Sequence, residues 1–259
     1  MSNVVWRACS GGVAAAAISL GLMTPVSGRS LADIEESGTF EVCLQEDNAP
    51  FSDQHTNKGV LVDIGDLVAN KLGVKMVETW LFSAEYVRKT SCDLVPAVAD
   101  IPNDEPLRLS SPYVEIRSLA VSRVSAAKLS GAEDFKGRSI GVLANSYARH
   151  VFSQKGYKLS VHYLENEEIL KAVEDGEIDV GIVPQTSFDW YVRQRPDRLR
   201  ADASPVGTDF DYSAALGLRR ADKPLLAKVN DILREAVADG TVRGIFERYG
   251  LRYEAPKAN

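Results

Sequence analysis

The sequence predicts an α/β protein in two blocks, each a mostly parallel sheet flanked by helices. Three observations carry this. Short apolar runs of strand length alternate with amphipathic helical stretches, the pattern of a parallel sheet covered on both faces. The alternation occurs twice, before and after a polar connection at residues 126–136. At 259 residues the chain can bury one large core or two smaller ones.

The N-terminus stands apart from both blocks. Arg7 precedes an apolar run at residues 11–23, and Val26-Ser27-Gly28 supplies small residues for cleavage. The run is too short to span a membrane, so residues 1–28 read as a secretory signal peptide. Cys9 lies before the apolar run, which argues against a lipid anchor. Removing this leader takes away Arg7 and no acidic residue, moving the formal net charge from −6 to −7. In an exported chain Cys43 and Cys92 remain as an even pair. Each lies in or at the start of an expected strand in the same half of the chain. That favours a disulfide over two unrelated buried thiols; it would close a loop of about fifty residues, contributing about 4 kcal/mol on a loop-entropy estimate.

The first block opens with a helical turn at 32–37 and a strand at 40–44. A loop at 45–57 carries Pro50-Phe51, and Gly59 punctuates it. Residues 63–72 form an amphipathic helix with Ile64, Leu67, Val68 and Leu72 on one face, stopped by Gly73. A strand at 74–80, a short helical turn at 84–90 and a strand at 94–98 follow. In the second block a strand at 139–143 leads to Asn145-Ser146, which can cap a helix burying Ala148, Val151 and Phe152 before Gly156. A strand at 160–164, a helix at 167–175, a strand at 179–183 and a helix at 186–195 complete it. The tail is a strand at 214–219, then a long helix opened by Asp222 and Pro224 and stopped by Gly240. Thr241 is expected to cap a short last helix.

Several function classes find no support. A net charge of −6 with dispersed Lys and Arg argues against a phosphate grip on nucleic acid. There is no GxGxxG after a strand and no GxxxxGK[ST], so no cofactor is expected. Neither GxSxG nor HExxH occurs. His55, His150 and His162 lack metal-ligand spacing, so no metal is expected either.

Five motifs in order resemble the periplasmic solute-binding proteins of family 3, which serve polar amino-acid importers. They are Ala49-Pro50-Phe51, Ser110–Tyr113 in place of "FSxPY", DFKGRSIGV at 134–142, GEIDVGIV at 176–183, and residues 228–251 following the family's "DGTxxxIxxKYGL" ending. The resemblance covers nearly all of the exported chain. It implies a type 2 periplasmic-binding-protein clamshell of two α/β lobes joined by two hinge crossings, placed near 119–123 and 206–213. Residues 29–122 would then form the first lobe, 123–208 the second, and 209–259 the return to the first. A small solute would lie between the lobes and close them, with helix N-termini supplying N–H groups to an anionic ligand.

The departures from the family bear on the ligand. Its amino-acid binders carry an arginine ahead of "FSxPY" that clamps the carboxylate, whereas 101–106 here reads IPNDEP. Arg108 and Arg117 are near but out of register. The family's ammonium-binding acid falls near Pro184-Gln185. These changes argue against ordinary α-amino-acid binding. EVCLQEDNAPFS at 41–52 and YVRKTSCDLV at 86–95 resemble a narrower subgroup, the MxaJ/XoxJ-type proteins associated with quinoprotein methanol dehydrogenases. That resemblance implies a non-catalytic accessory that helps a PQQ-dependent quinoprotein dehydrogenase assemble or activate. The alternative is the receptor of an ABC importer for a small polar or organic solute. Partners would be the dehydrogenase or an ABC permease, in the periplasm and without membrane anchorage. A third class, an enzyme on this fold such as a cyclohexadienyl dehydratase, would need Asp100, Asp104 or Glu105 as acid or base.

Candidate ligand residues are Phe51, Trp80, Asp100, Asn103, Asn145, Ser146, Gln185 and Thr186. Phe51 stands where the family stacks an aromatic on its ligand, and could equally pack within its lobe. Trp80 fits a cleft wall or a core. The others follow strand ends, where open α/β sheets place ligands, but each also fits a plain loop or cap. Tyr113 is expected to pack beneath the cleft, and Trp190 and Tyr191, on a helix, to pack in the core or at the surface.

Overall fold

The computed structural model describes residues 28–82, 84–99, 107–144, 146–202, 211–219 and 221–257. The expected leader, apart from Gly28, lies outside them. The first lobe opens with α1 (Leu31–Ser37), where Ser30 accepts from the Asp33 amide and Asp33 accepts from that of Ser30. Then come β1 (Thr39–Gln45), the small hairpin β2 (Asp47–Asn48) and β3 (Ser52–Asp53), α2 (Val60–Leu72) and β4 (Lys75–Leu81). A 3-10 turn leads to β5 (Leu94–Ala99), followed by β6 (Leu107–Leu109) and β7 (Val114–Ile116).

The second lobe comprises β8 (Ser118–Arg123), β9 (Ile140–Leu143), α3 (Tyr147–Gln154), β10 (Leu159–Tyr163), α4 (Asn166–Asp175), β11 (Val180–Pro184), α5 (Gln185–Gln194) and β12 (Leu199–Asp202). The chain returns through β13 (Tyr212–Arg219), α6 (Lys223–Ala238) and α7 (Thr241–Arg248).

The first sheet runs β4-β1-β5-β13-β6, with β7 also on β13; the second runs β10-β9-β11-β8-β12. Both are mostly parallel in strand direction, as expected, each with one strand reversed. In the first sheet β1, β4, β5, β6 and β7 run one way and β13 against them; in the second β9, β10, β11 and β12 run one way and β8 against them. The reversed strands are the ones that follow the crossings: β8 enters the second lobe from the first, and β13 enters the first sheet from the second lobe.

Burial follows the helical stripes. Phe40, Ile64, Leu94, Leu218, Val229 and Phe246 join one core beneath α2, α6 and α7. The second lobe fills both faces of its sheet, with Leu119, Val121, Ile169 and Val173 in one cluster and Phe135, Ile140, Val142 and Phe152 in the other. Each such side chain contributes about 1.5–3 kcal/mol. A disulfide joins Cys43 of β1 to Cys92, just ahead of β5, with Cα atoms 5.6 Å apart.

Three boundaries differ from expectation. The helix expected at 63–72 starts at Val60, because Val60 and Leu61 donate to the Pro50 and Phe51 carbonyls. Gly240 rather than Thr241 caps α7; Thr241 is its first helical residue, and its amide donates to Asp239. Residues 119–123, expected as a crossing, lie in a strand flanked by β11 and β12. The chain leaves the first sheet after Ile116 and joins the second at Ser118, so Arg117 makes the first crossing and residues 118–122 belong with the second sheet. Tyr212 and Ser213 already pair with β7. The second passage therefore lies between Asp202 and Tyr212, where residues 203–210 are outside the described set.

Candidate functional site

The Phe51 loop forms one wall of the cleft, and backbone bonds hold it. The Ser52 hydroxyl donates to the Gln45 carbonyl at 2.7 Å, and the Phe51 amide to the Asn48 carbonyl at 2.7 Å. The Leu61 amide of α2 donates to the Phe51 carbonyl at 2.8 Å. The first N–H groups of α2 thus hold this loop rather than an anionic ligand. Gly59 allows that approach. Its φ is +147°, and a Cβ there would sit 2.2 Å from the Phe51 carbonyl oxygen. Its amide donates to the Tyr249 hydroxyl, which donates to Asp63.

The facing wall is α5, which leaves β11 with no intervening loop and no side-chain cap. Its first amide, Gln185, donates to the Arg117 carbonyl at 2.8 Å, fixing the helix start against the crossing. Gln185 and Thr186 are both buried.

Between these walls lie two chambers. The outer one, about 420 Å³, is lined by Asp47, Asp53 and His55 from the first lobe and by Glu165, Glu167 and Arg195 from the second. Among the described lining residues Asp47, Asp53, Glu165 and Glu167 outnumber the one arginine, which makes this lining acidic. Arg195 is also engaged, lying 3.6 Å from Glu167 and 4.6 Å over the Tyr191 ring. Burial, together with a 2.6 Å hydrogen bond to Glu174, pushes the Tyr191 phenol well above its usual range. The inner chamber, about 180 Å³, lies against the crossing strands and includes Thr186, Tyr113 and Tyr212. Asn48 and Phe51 line both chambers, so the two adjoin.

Of the residues singled out in the sequence, Phe51 and Thr186 meet at the inner chamber. Gln185 is buried beside Thr186 at the start of α5. Ser146 caps α3, accepting from the Arg149 amide at 3.1 Å and donating to the Leu143 carbonyl at 3.0 Å. Trp80 packs against the first-lobe core and lines neither chamber. Asp100, Asn103, Asn145, Asp104 and Glu105 lie outside the described residues. Arg108 is exposed on β6, and Arg117 pairs with Glu254 at 2.5 Å. Neither borders a chamber described above. Tyr113 lies beneath the cleft and is almost fully buried. Trp190 packs against the first-lobe core, in line with expectation, and also lines the outer chamber.

Sequence reasoning missed Asn48, Tyr212 and the acidic mouth. Asn48 directly precedes Ala49-Pro50-Phe51, and Tyr212 begins the returning strand; those positions were the available signal. Among the described residues no cluster could hold a metal ion, and no helix is long and apolar enough to cross a membrane.

Two lobes, two crossings and a cleft between them define a two-lobed solute-binding protein. The chain belongs to the bacterial extracellular solute-binding proteins, family 3, which it matches over residues 40–252. Among curated proteins it is 26% identical over 245 residues to membrane-bound lytic murein transglycosylase F of Alcanivorax borkumensis, covering 89% of this chain and 52% of that protein. The chain thus spans about half the length of the first relatives it matches. It is 24% identical to the L-cystine-binding protein TcyJ of Escherichia coli K12, covering 90% of this chain and 92% of that one. Two solved structures share the fold. The unliganded, open L-cystine receptor of Neisseria gonorrhoeae superposes with a TM-score of 0.70 at 19% identity, covering 88% and 100% of the chains. The periplasmic binding protein XoxJ of Methylobacterium extorquens AM1 does so with 0.66 at 22% identity, covering 84% and 100%.

Proposed function

We propose that this chain is a non-catalytic periplasmic solute-binding protein whose lobes close on a small neutral or cationic polar solute and present it to an ABC permease. One observation carries the reading. The inner chamber is built by both lobes at once, with Phe51 from the first and Thr186 from the second. A solute that fills it touches both, and so favours the joined arrangement over the parted one by its differential affinity. The acidic mouth disfavours anions. A thermal-shift screen of small polar solutes tests this. At a hundredfold excess over Kd a ligand adds about 2.7 kcal/mol, raising Tm by about 5–10 °C for a chain of this size. Silence across amino acids, amines, polyols and amides sinks the receptor reading.

The Cys43–Cys92 disulfide favours a second reading. Cysteines at these places belong to the pattern of the quinoprotein-associated subgroup, and the disulfide ties β1 to the segment leading into β5. In that reading the chain docks on a PQQ-dependent alcohol dehydrogenase and supports its assembly or activation. Co-purification with such a dehydrogenase, together with lower dehydrogenase activity when the gene is deleted, supports it. Full activity after deletion rejects it.

A further inference from the structure

The helix α5 is held on two faces by two different lobes. Phe188, Tyr191 and Val192 pack into the second-lobe core, whereas Trp190 packs against the first-lobe core. On the first-lobe side polar contacts recur at every fourth residue, which places them along one stripe of the helix. The Gln185 amide donates to the Arg117 carbonyl at the crossing, at 2.8 Å. One turn on, Asp189 accepts from Arg252 Nη2 at 2.6 Å and from the Arg252 backbone amide at 3.1 Å. Another turn on, Arg193 donates to the Tyr249 carbonyl at 2.9 Å. It lies so close to the chain there that a Cβ on Gly250 would come within 2.8 Å of its Nη1.

The C-terminal segment that receives α5 is itself tied to the first lobe. Leu251 and Tyr253 lie in its core, the Tyr253 hydroxyl donates to the Tyr113 carbonyl at 3.0 Å, and the Glu115 amide donates to the Glu254 carbonyl at 2.9 Å. The stripe thus starts at the crossing and runs outward for two turns, about 11 Å of helix. A rotation of the second lobe about Arg117 that carries α5 away moves the outer contacts furthest, and bonds of this length are lost once the groups part by about 1 Å. The apolar face stays with its own lobe, because pulling three large side chains from a core costs more than giving up polar contacts that water replaces. Opening therefore unfastens the polar stripe. We propose that this stripe and residues 249–252 form a releasable clasp that holds the lobes together before any solute arrives, so that the resting balance between joined and parted lobes is set by the Asp189–Arg252 pair. The clasp would serve a receptor and a docking accessory alike, since it acts ahead of ligand and partner.

Small-angle X-ray scattering of the exported protein with no solute added tests it. Asp189→Ala and Arg252→Ala are each expected to move the ratio of joined to parted lobes about tenfold toward parted, read as a larger radius of gyration with an unchanged far-UV circular dichroism spectrum. The double substitution should expand the protein no further than either single one, because both remove the same pair. Arg248→Ala is the control. It breaks the neighbouring Arg248–Asp63 pair, 2.6 Å long and wholly within the first lobe, and should leave the radius at the native value. A native radius in both single variants overturns the inference. So does an equal expansion in Arg248→Ala, an additive expansion in the double variant, or an expansion that comes with loss of helical signal. Because no solute is used, each of these results leaves the receptor reading to be judged by its own screen.

Discussion

Gly59 shows how a single residue sets a binding wall. Its φ of +147° and the 2.2 Å approach to the Phe51 carbonyl leave no room for a Cβ. Gly59→Ala should therefore cost about 1–3 kcal/mol in urea denaturation and weaken any ligand stacked on Phe51. Gly131→Ala, where nothing lies within 4 Å, should change stability by less than about 0.5 kcal/mol. Equal effects at the two positions would discard the steric argument. Tyr212 makes a prediction of opposite kind. Burial pushes its phenol from the ordinary 10.0 up to about 12. The folded state holds that proton more tightly than the unfolded state does, so the associated stability is full below pH 10 and lost as pH rises through about 12. Unfolding free energy measured from pH 8 to 12 should fall more steeply for the native sequence than for Tyr212→Phe. Parallel curves would show that the ring is not desolvated. Phe51 was legible as a residue at the cleft wall because it follows a strand in a recognisable tripeptide. Tyr212 was not, because its position becomes meaningful only when β13 returns across the cleft.

At the scale of elements, the disulfide joins the middle of β1 to the residue pair leading into β5. Next to Cys92, Asp93 is buried, pairs with Arg29 and accepts from the Glu41 amide at 2.8 Å. The loop it closes spans a sequence separation of 49. Replacing both cysteines with alanine should therefore cost about 4 kcal/mol in urea denaturation. After removal of the leader, which contains Cys9, the unfolded but unreduced protein should not react with a thiol probe. Two equivalents of label, or a loss below about 1 kcal/mol, would remove the disulfide from the stability argument. Elements with long periods were readable: α6 carries its apolar stripe between Asp222 and Gly240, and its observed span agrees. The strands β6, β7 and β12 were not. They contain only three or four residues, too few to show a period of two. They form because β13 and β8 offer them unpaired edges.

At the scale of the whole molecule, α5 belongs to the second lobe by chain order yet is fastened to the first. Asp189, 9% exposed in its side chain, accepts from Arg252 Nη2 at 2.6 Å, from its Nε at 2.9 Å and from its backbone amide at 3.1 Å. Arg193 donates to the Tyr249 carbonyl at 2.9 Å, and Trp190 packs against the first-lobe core. The fastening to the other lobe was not legible in the sequence, where Trp190 read as core or surface packing and Arg252 carried no signal. The contacts pair residues about sixty positions apart and exist only once both crossings are in place. They give the cleft a defined resting geometry, because the helix whose first turn lines the inner chamber is fastened further along to the C-terminal segment. A mostly buried carboxylate holding an arginine contributes more than an exposed ion pair, though the exposed arginine limits this to about 1–2 kcal/mol. Asp189→Ala should therefore release α5 from residues 249–252 without unfolding either sheet. In hydrogen exchange the Arg252 amide should lose its acceptor and exchange about tenfold faster. Amides in residues 190–194 should speed up with it, while those of β1 and β9 keep their protection. Faster exchange confined to residue 252 would mean that the contact orders only the tail. Faster exchange throughout the second lobe would mean that Asp189 supports the lobe's folding rather than its docking.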